Sequence, residues 1–325
     1  TATLLKDGTV LICGGFAGSS SNALSSAEIF NPSTKLFTTI SSLKTPRVGH
    51  SATLLPDGKV LIAGGYNGDY LFTTEIYDPK SKAFSPGPRL KDARHGHTAT
   101  VLNSDKIILI GGVGTGWTFL SSAEIYDVKT GQFSKTNPMS FARESHTATL
   151  LENGNVLVTG GHQGRRENVM IYANSEIYDV DADQFFNAGD MSIPRRKHDA
   201  VLLSNGKVLI NGGSDFRDSI FSSAEIYDPI KKQFIAITSM IYPRYKHKNM
   251  SILLADNNVL IGGGSNKAEI FNVTDERFTP LNGDLGSTRL FSSATLLANG
   301  EVLITGGYDE NIAAINKASL YSSDL

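Results

Sequence analysis

A single cysteine among 325 residues, Cys13, rules out an intrachain disulfide and any thiolate-rich metal centre. Charge of one sign is also missing. The formal net charge is −2 with both signs mixed along the chain, so there is no basic stripe to neutralise a phosphate backbone, and nucleic acid is excluded as a partner class. No apolar run reaches the roughly 18 residues of a membrane-spanning helix, and no charged-then-apolar leader opens the sequence. The start at Thr1 reads as a mature or trimmed product, in keeping with an exported or cell-surface protein. Helical periodicity is absent over any long stretch, which leaves strands and turns. GxSxG, HExxH and P-loop patterns do not occur either.

What the chain does have is 32 glycines and a repeated phrase. His50 to Gly65 reads HSATLLPDGKVLIAGG, with near copies from His97, His146 and His198, a looser one from His247, and forms lacking the histidine at Thr1 and Ser292. Seven glycine pairs begin at Gly14, Gly64, Gly111, Gly160, Gly212, Gly263 and Gly306, spaced 43 to 52 residues apart, a period that admits four short strands and their turns. Each unit parses alike: a first strand such as SATLL, a tight PDG or ENG turn, a second strand KVLI, the glycine pair, a variable loop, then a third strand AEIYD. Nine residues after the third-strand Glu stands a Phe marking the fourth strand. The interval holds from Glu28 to Phe37, Glu75 to Phe84, Glu124 to Phe133, Glu176 to Phe185, Glu225 to Phe234 and Glu269 to Phe278.

A four-stranded antiparallel sheet cannot bury both of its faces alone, whereas a radial array packs each sheet on its neighbours. The sequence therefore predicts an all-β, seven-bladed propeller with four antiparallel strands per blade. It is read as one domain over 1–325, with repeats near 1–42, 43–89, 90–138, 139–190, 191–239, 240–284 and 285–325. The seventh unit lacks a fourth strand with its Phe. It is expected either to be completed from beyond one end of this chain or to form a three-stranded last blade. The Arg-x-x-His lead-in, the double glycine, the Tyr of EIYD and the late aromatic resemble the kelch repeat over essentially the whole chain, and the HTATLL style resembles the propeller of galactose oxidase and its bacterial relatives.

Strand order implies that the loop between strands two and three lies on the same rim as the lead-in to strand one. The opposite rim carries the short, uniform turns. Variable loops on a rigid scaffold are where function concentrates, so Tyr66, Tyr70, Trp117, Phe119, Arg165, Arg166, Tyr172, Phe216, Arg217 and Tyr308 are the candidate ligand contacts, suited to stacking on sugar rings or anchoring a peptide. The column Arg47, Arg94, Arg143, Arg195, Arg244 and Arg289 is a candidate cationic ring near the axis. A residue present in nearly every blade more simply serves each blade, and pairing with the EIYD glutamates across blades is the expected use. The histidine column is read as structural, because five ligands spread around a ring cannot converge on one ion.

These readings favour a noncatalytic, monomeric propeller that recognises a glycan or protein ligand and needs no cofactor or metal. The alternative is a carbohydrate-active enzyme, which the resemblance supplies in two forms. A copper-radical oxidase of galactose oxidase type needs a Cys crosslinked to a Tyr, a second Tyr and two His, with the Cys on a first strand. Here Cys13 falls on a second strand, where it reads as a small buried apolar residue. A sialic acid mutarotase would use Arg and Glu near the channel to hold the sugar carboxylate and move protons. The run Asp179, Asp181, Asp183 departs from a calcium loop at Gln184 and Asp190 and reads as a turn.

Overall fold

A computed structural model describes residues 1–18, 22–103 and 105–322. Its contacts divide the chain into two compact units, Thr1–Glu144 and Ser145–Leu325. The first unit holds three four-stranded antiparallel sheets, and the second holds three more and a last sheet of three strands, Ser293–Leu296, Val302–Thr305 and Ala318–Tyr321. In each of these seven sheets the strands lie in chain order, so each is one sequence repeat and one blade, while two further two-stranded ribbons, Val113–Gly114 with Thr118–Phe119 and His162–Gln163 with Met170–Ile171, belong to the loops.

Blade two shows how the residues build the unit. Its strands are Ser51–Leu54, Val60–Ala63, Thr74–Asp78 and Ala83–Pro86. Gly58 closes the first hairpin at φ +88°, a conformation open to glycine, while the Asp57 carboxylate accepts the Lys59 N–H at 3.0 Å. Val60, Leu61, Ile62 and Ala63 are all buried, as expected of a strand covered on both faces. Leu11, Cys13 and Ala27 of blade one pack directly on Val60, Ile62 and Tyr77 of blade two.

The nine-residue interval has a simple origin. Tyr77 and Phe84 are cross-strand partners with ring centroids 5.0 Å apart and planes tilted by 45°, and the same pair recurs as Tyr126–Phe133, Tyr178–Phe185, Tyr227–Phe234, Phe271–Phe278 and Phe30–Phe37. Between those strands an Asp or Asn caps the turn. Asp78 accepts the Lys80 N–H at 2.9 Å, and Asp179 accepts those of Asp181 and Ala182 at 3.1 and 3.0 Å, so the acidic run of blade four makes the turn its sister blades make.

The glycine pair and the Arg-x-x-His lead-in form the seam between blades. The second glycine donates its N–H to the carbonyl of the next blade's arginine: Gly15 to Arg47 at 2.9 Å and Gly65 to Arg94 at 2.8 Å in the first unit, Gly213 to Arg244 and Gly264 to Arg289 at 2.7 Å in the second. The first glycine must also be bare, since a Cβ on Gly14 would stand 2.6 Å from His50 Cε1 and 2.7 Å from the Arg47 carbonyl oxygen. The histidines cross the same seam. His50 Nε2 lies 3.0 Å from Thr1 Oγ1, His97 Nε2 2.9 Å from Ser51 Oγ, and His247 Nε2 2.8 Å from Asn211 Oδ1. Burial, with the positive field of Arg244 and Arg195, pushes His247 down to about 3, so it bridges the blades as a neutral ring.

Candidate functional site

The candidate arginine column is buried. Arg47, Arg94, Arg143, Arg195, Arg244 and Arg289 each expose 1% or less. Arg47 Nη2 binds Glu75 at 2.9 Å, Arg94 binds Glu124 at 2.8 Å, Arg195 binds Glu225 at 2.8 Å and Arg244 binds Glu269 at 2.9 Å. Arginine and glutamate belong to the same blade in each case, which corrects the expectation of pairing across blades. The lead-in folds back over its own sheet because Arg Nη1 also bonds the carbonyl of that blade's first glycine, as Arg47 does to Gly64 at 2.6 Å. Burial pulls the Arg195 and Arg244 guanidinium groups below their ordinary value, and Glu225 and Glu269 pull the other way. Arg289 is different. Ser319 stands where the other blades have Glu, and Arg289 donates to neutral acceptors alone: the Lys317 carbonyl at 2.8 Å, Ser319 Oγ at 3.1 Å and the Leu285 carbonyl at 3.4 Å.

Above these pairs lies the loop-bearing rim. Short bridges tie four of the lead-ins to the residue just after the glycine pair, Val48 with Tyr66 and His95 with Val113 in the first unit, Arg196 with Ser214 and Leu290 with Tyr308 in the second. In the first unit the rim gathers four rings: Tyr66 and Tyr70 at 5.1 Å, Tyr66 and His95 at 6.1 Å, Tyr70 and Trp117 edge-on at 6.2 Å. Trp117 ends a 3-10 turn, Thr115–Trp117, at φ +64° and is 49% exposed. A bulky residue in the left-handed region is strained, and such strain clusters at ligand sites. Phe119 pairs beneath it with Val113.

In the second unit the decisive column is one the sequence reading passed over, the residue immediately before each column histidine or, in blade seven, before Ser292. Ser145, Lys197, Lys246 and Phe291 all adopt positive φ, between 53° and 57°. Their backbones are chained: Lys197 N–H donates to the Ser145 carbonyl at 3.0 Å, Lys246 to Lys197 at 2.8 Å and Phe291 to Lys246 at 2.7 Å. Lys246 Nζ sits over three rings, 4.9 Å from the centroid of Tyr245, 5.3 Å from Tyr308 and 5.7 Å from Phe291, and donates to Tyr308 Oη at 3.1 Å. Of the other candidates, Phe216 is exposed under the Arg217 guanidinium at 5.1 Å, Arg165 is exposed, and Tyr172 is 4% exposed. Arg166 belongs to the 3-10 turn Arg166–Asn168, and its side chain lies outside what is described.

A buried polar cluster also escaped the sequence reading. Asp199, on the first strand of blade five, accepts the N–H groups of Asn249, Met250 and Ser251 at 2.7, 2.8 and 2.7 Å. It secures the two extra residues, Lys248 and Asn249, that blade six carries after its histidine. Burial pushes its carboxyl up, and those bonds pull it back.

Comparison with known proteins fits this geometry. A profile of the kelch motif matches residues 2–44, 46–91, 93–140 and 195–241, together more than half of the chain. The chain belongs to the kelch-repeat family. Among solved structures, a fungal alcohol oxidase of the AA5 family, described as catalytically diverse and in complex with copper, matches this kelch chain with a TM-score of 0.74, covering 95% of it and 69% of the oxidase at 18% identity. A search of curated proteins returned no match. The fold is thus a seven-bladed kelch propeller, structurally close to the galactose oxidase and AA5 fold. The oxidase corrects the expectation of a noncatalytic role, because the architecture shared along nearly the whole chain carries catalysis in that neighbour.

The copper centre of such enzymes does not fit the residues present. Cys13 lies on the second strand Val10–Phe16, 1% exposed within the core shared by blades one and two, with Thr1 Oγ1 3.6 Å from its sulfur. Burial pushes its thiol up, away from thiolate character. The Nε2 atoms of His50, His97, His198 and His247 are engaged in the seams. Among the described residues no three His, Cys, Asp or Glu side chains group as metal ligands. No helix is long and apolar enough to cross a membrane among them either.

Proposed function

We propose that this kelch propeller is a carbohydrate-active enzyme that takes its sugar on the loop-bearing rim. One observation carries the reading. The rim of the first unit holds Trp117 strained and half exposed beside Tyr70 and Tyr66, an aromatic platform of the kind that covers the C–H face of a sugar ring. Of the two chemistries the resemblance offers, mutarotation is the one that needs no copper: a proton is supplied at the ring oxygen and withdrawn from the anomeric hydroxyl. The ligand class of the wider family is broad, and a protein segment is the competing occupant of the same face.

The chain's one tryptophan makes the test direct. Titration with reducing hexoses should change Trp117 fluorescence saturably, and exchange NMR should show anomer interconversion faster than in buffer. Trp117→Ala should weaken sugar binding by about tenfold, the scale of one lost aromatic hot spot. Oxygen uptake that tracks added copper would replace the mutarotase reading with the oxidase one. Unchanged fluorescence together with unaltered anomer exchange would remove the carbohydrate reading.

A further inference from the structure

In the first unit the arginine column is buried against the glutamates of its own blades, so moving a proton on the rim needs another group. His95 is placed to be that group. It stands outside the seam histidines, directly after Arg94 in the blade-three lead-in, and is partly exposed where His50 and His97 are buried. Two backbone bonds fix it to Val113, His95 N–H to the Val113 carbonyl and Val113 N–H to the His95 carbonyl, both 2.9 Å, at the root of the loop that carries Trp117. Its imidazole meets Tyr66 edge-on at 6.1 Å and so ends the row of rings that runs through Tyr66 and Tyr70 to Trp117.

Two glycines make room for this arrangement. Gly49, at φ +62°, lies under the imidazole, and a Cβ there would stand 2.4 Å from His95 Cδ2 and Nε2. Gly96, at φ +67°, lies under the Glu144 carboxylate, where a Cβ would stand 2.8 Å from Oε1 and 3.2 Å from Cγ. The Gly96 N–H donates to the Gly49 carbonyl at 2.9 Å, so the two seats are joined through the backbone. An imidazole and a carboxylate are thus laid over bare backbone, side by side, at one end of the platform. Glu144 from the blade-four lead-in and Tyr66 from the blade-two loop are the titratable groups facing the His95 ring. Burial pulls His95 below the ordinary histidine value, and the Glu144 carboxylate pulls the other way. At neutral pH the ring is uncharged and able to accept a proton, and the carboxylate stabilises the imidazolium that forms when it does.

We infer that His95 is the catalytic residue that moves the proton in anomer interconversion, with Glu144 as its positioning residue. The inference rests on the carbohydrate reading above. The imidazole takes the proton of the anomeric hydroxyl, and the O–H electrons become the second bond of the aldehyde carbonyl. The bond between the anomeric carbon and the ring oxygen breaks, and the ring oxygen receives the proton from the imidazolium. Both oxygens are borne by one carbon, so a single imidazole serves both. Closure on the opposite face of the carbonyl reverses each transfer and gives the other anomer, with no oxidant or second substrate consumed.

Exchange NMR of D-glucose, read beside Trp117 fluorescence titrated with the same sugar, separates the possibilities. His95→Gln should lower the exchange rate by about a hundredfold, the scale of a lost general acid–base group, while glucose still changes the fluorescence. In the unaltered chain the rate above buffer should fall as pH drops through a value below that of ordinary histidine, because the charged ring accepts no proton. Glu144→Gln should move that fall to lower pH, since the field favouring the imidazolium is gone, a shift that a merely structural glutamate would not cause. Circular dichroism of each variant reports whether the blade is intact. Three results would overturn the role of His95 while leaving sugar binding on the rim in place: undiminished exchange by a folded His95→Gln variant that binds glucose, a rate unchanged over about pH 4 to 8, or glucose bound by the unaltered chain without exchange. Neither exchange nor a fluorescence change in the unaltered chain would overturn both.

Discussion

Glu124→Ala should lower the unfolding free energy of the chain by about 3–5 kcal/mol, the cost of leaving a buried charge without its partner. Glu124 and Arg94 have fully buried side chains 2.8 Å apart. The carboxylate also accepts the N–H groups of Lys91 and Asp92 at 2.7 and 2.9 Å, so its removal strands three donors in one step. Urea unfolding of the variant and the parent measures the loss. Glu124→Gln keeps an acceptor and should fall between them. A loss below about 1 kcal/mol, the range of an exposed pair, would mean that water reaches the site and that the lead-in is not held as described.

Ser319→Glu should move stability the other way. In blade seven Arg289 is 1% exposed and has neutral partners alone, at the position where Arg47, Arg94, Arg195 and Arg244 each meet a glutamate. Burial lowers its basicity with no carboxylate to oppose the effect. Restoring the carboxylate should supply a charge-assisted bond of about 1.5–3 kcal/mol, read as a rise in the urea midpoint at unchanged slope. A fall in stability would show that blade seven has repacked around its serine too closely to admit the larger side chain. The paired experiments are complementary, since one creates the defect that the other repairs.

The sequence made the blades legible because their constraints act on residue type. A glycine pair is demanded by the carbonyl and histidine pressed against Gly14, and the Glu-to-Phe interval by the aromatic pairing across strands three and four. The arginine column was visible for the same reason. Its partner was misplaced across the seam because spacing gives no sign that the lead-in folds over its own sheet, as the Arg47 bond to Gly64 requires.

The rim column before the histidines stayed hidden for the opposite reason. Gly49, Gly96, Ser145, Lys197, Lys246 and Phe291 share a backbone conformation and no chemistry. Two glycines at that point were the available signal. Lys246 stands far in sequence from Tyr308, so no local pattern announces their contact. Asp199 hides likewise, because its role depends on two residues inserted 50 positions later, in the next blade.

Everything proposed about function requires the sugar to lie on the loop-bearing rim. Diffraction from crystals soaked with a reducing hexose tests this most directly. The account predicts sugar density on the Trp117 platform, beside Tyr70 and Tyr66. Density on the short-turn side, beside turns such as that of Asp57 and Gly58, would contradict it.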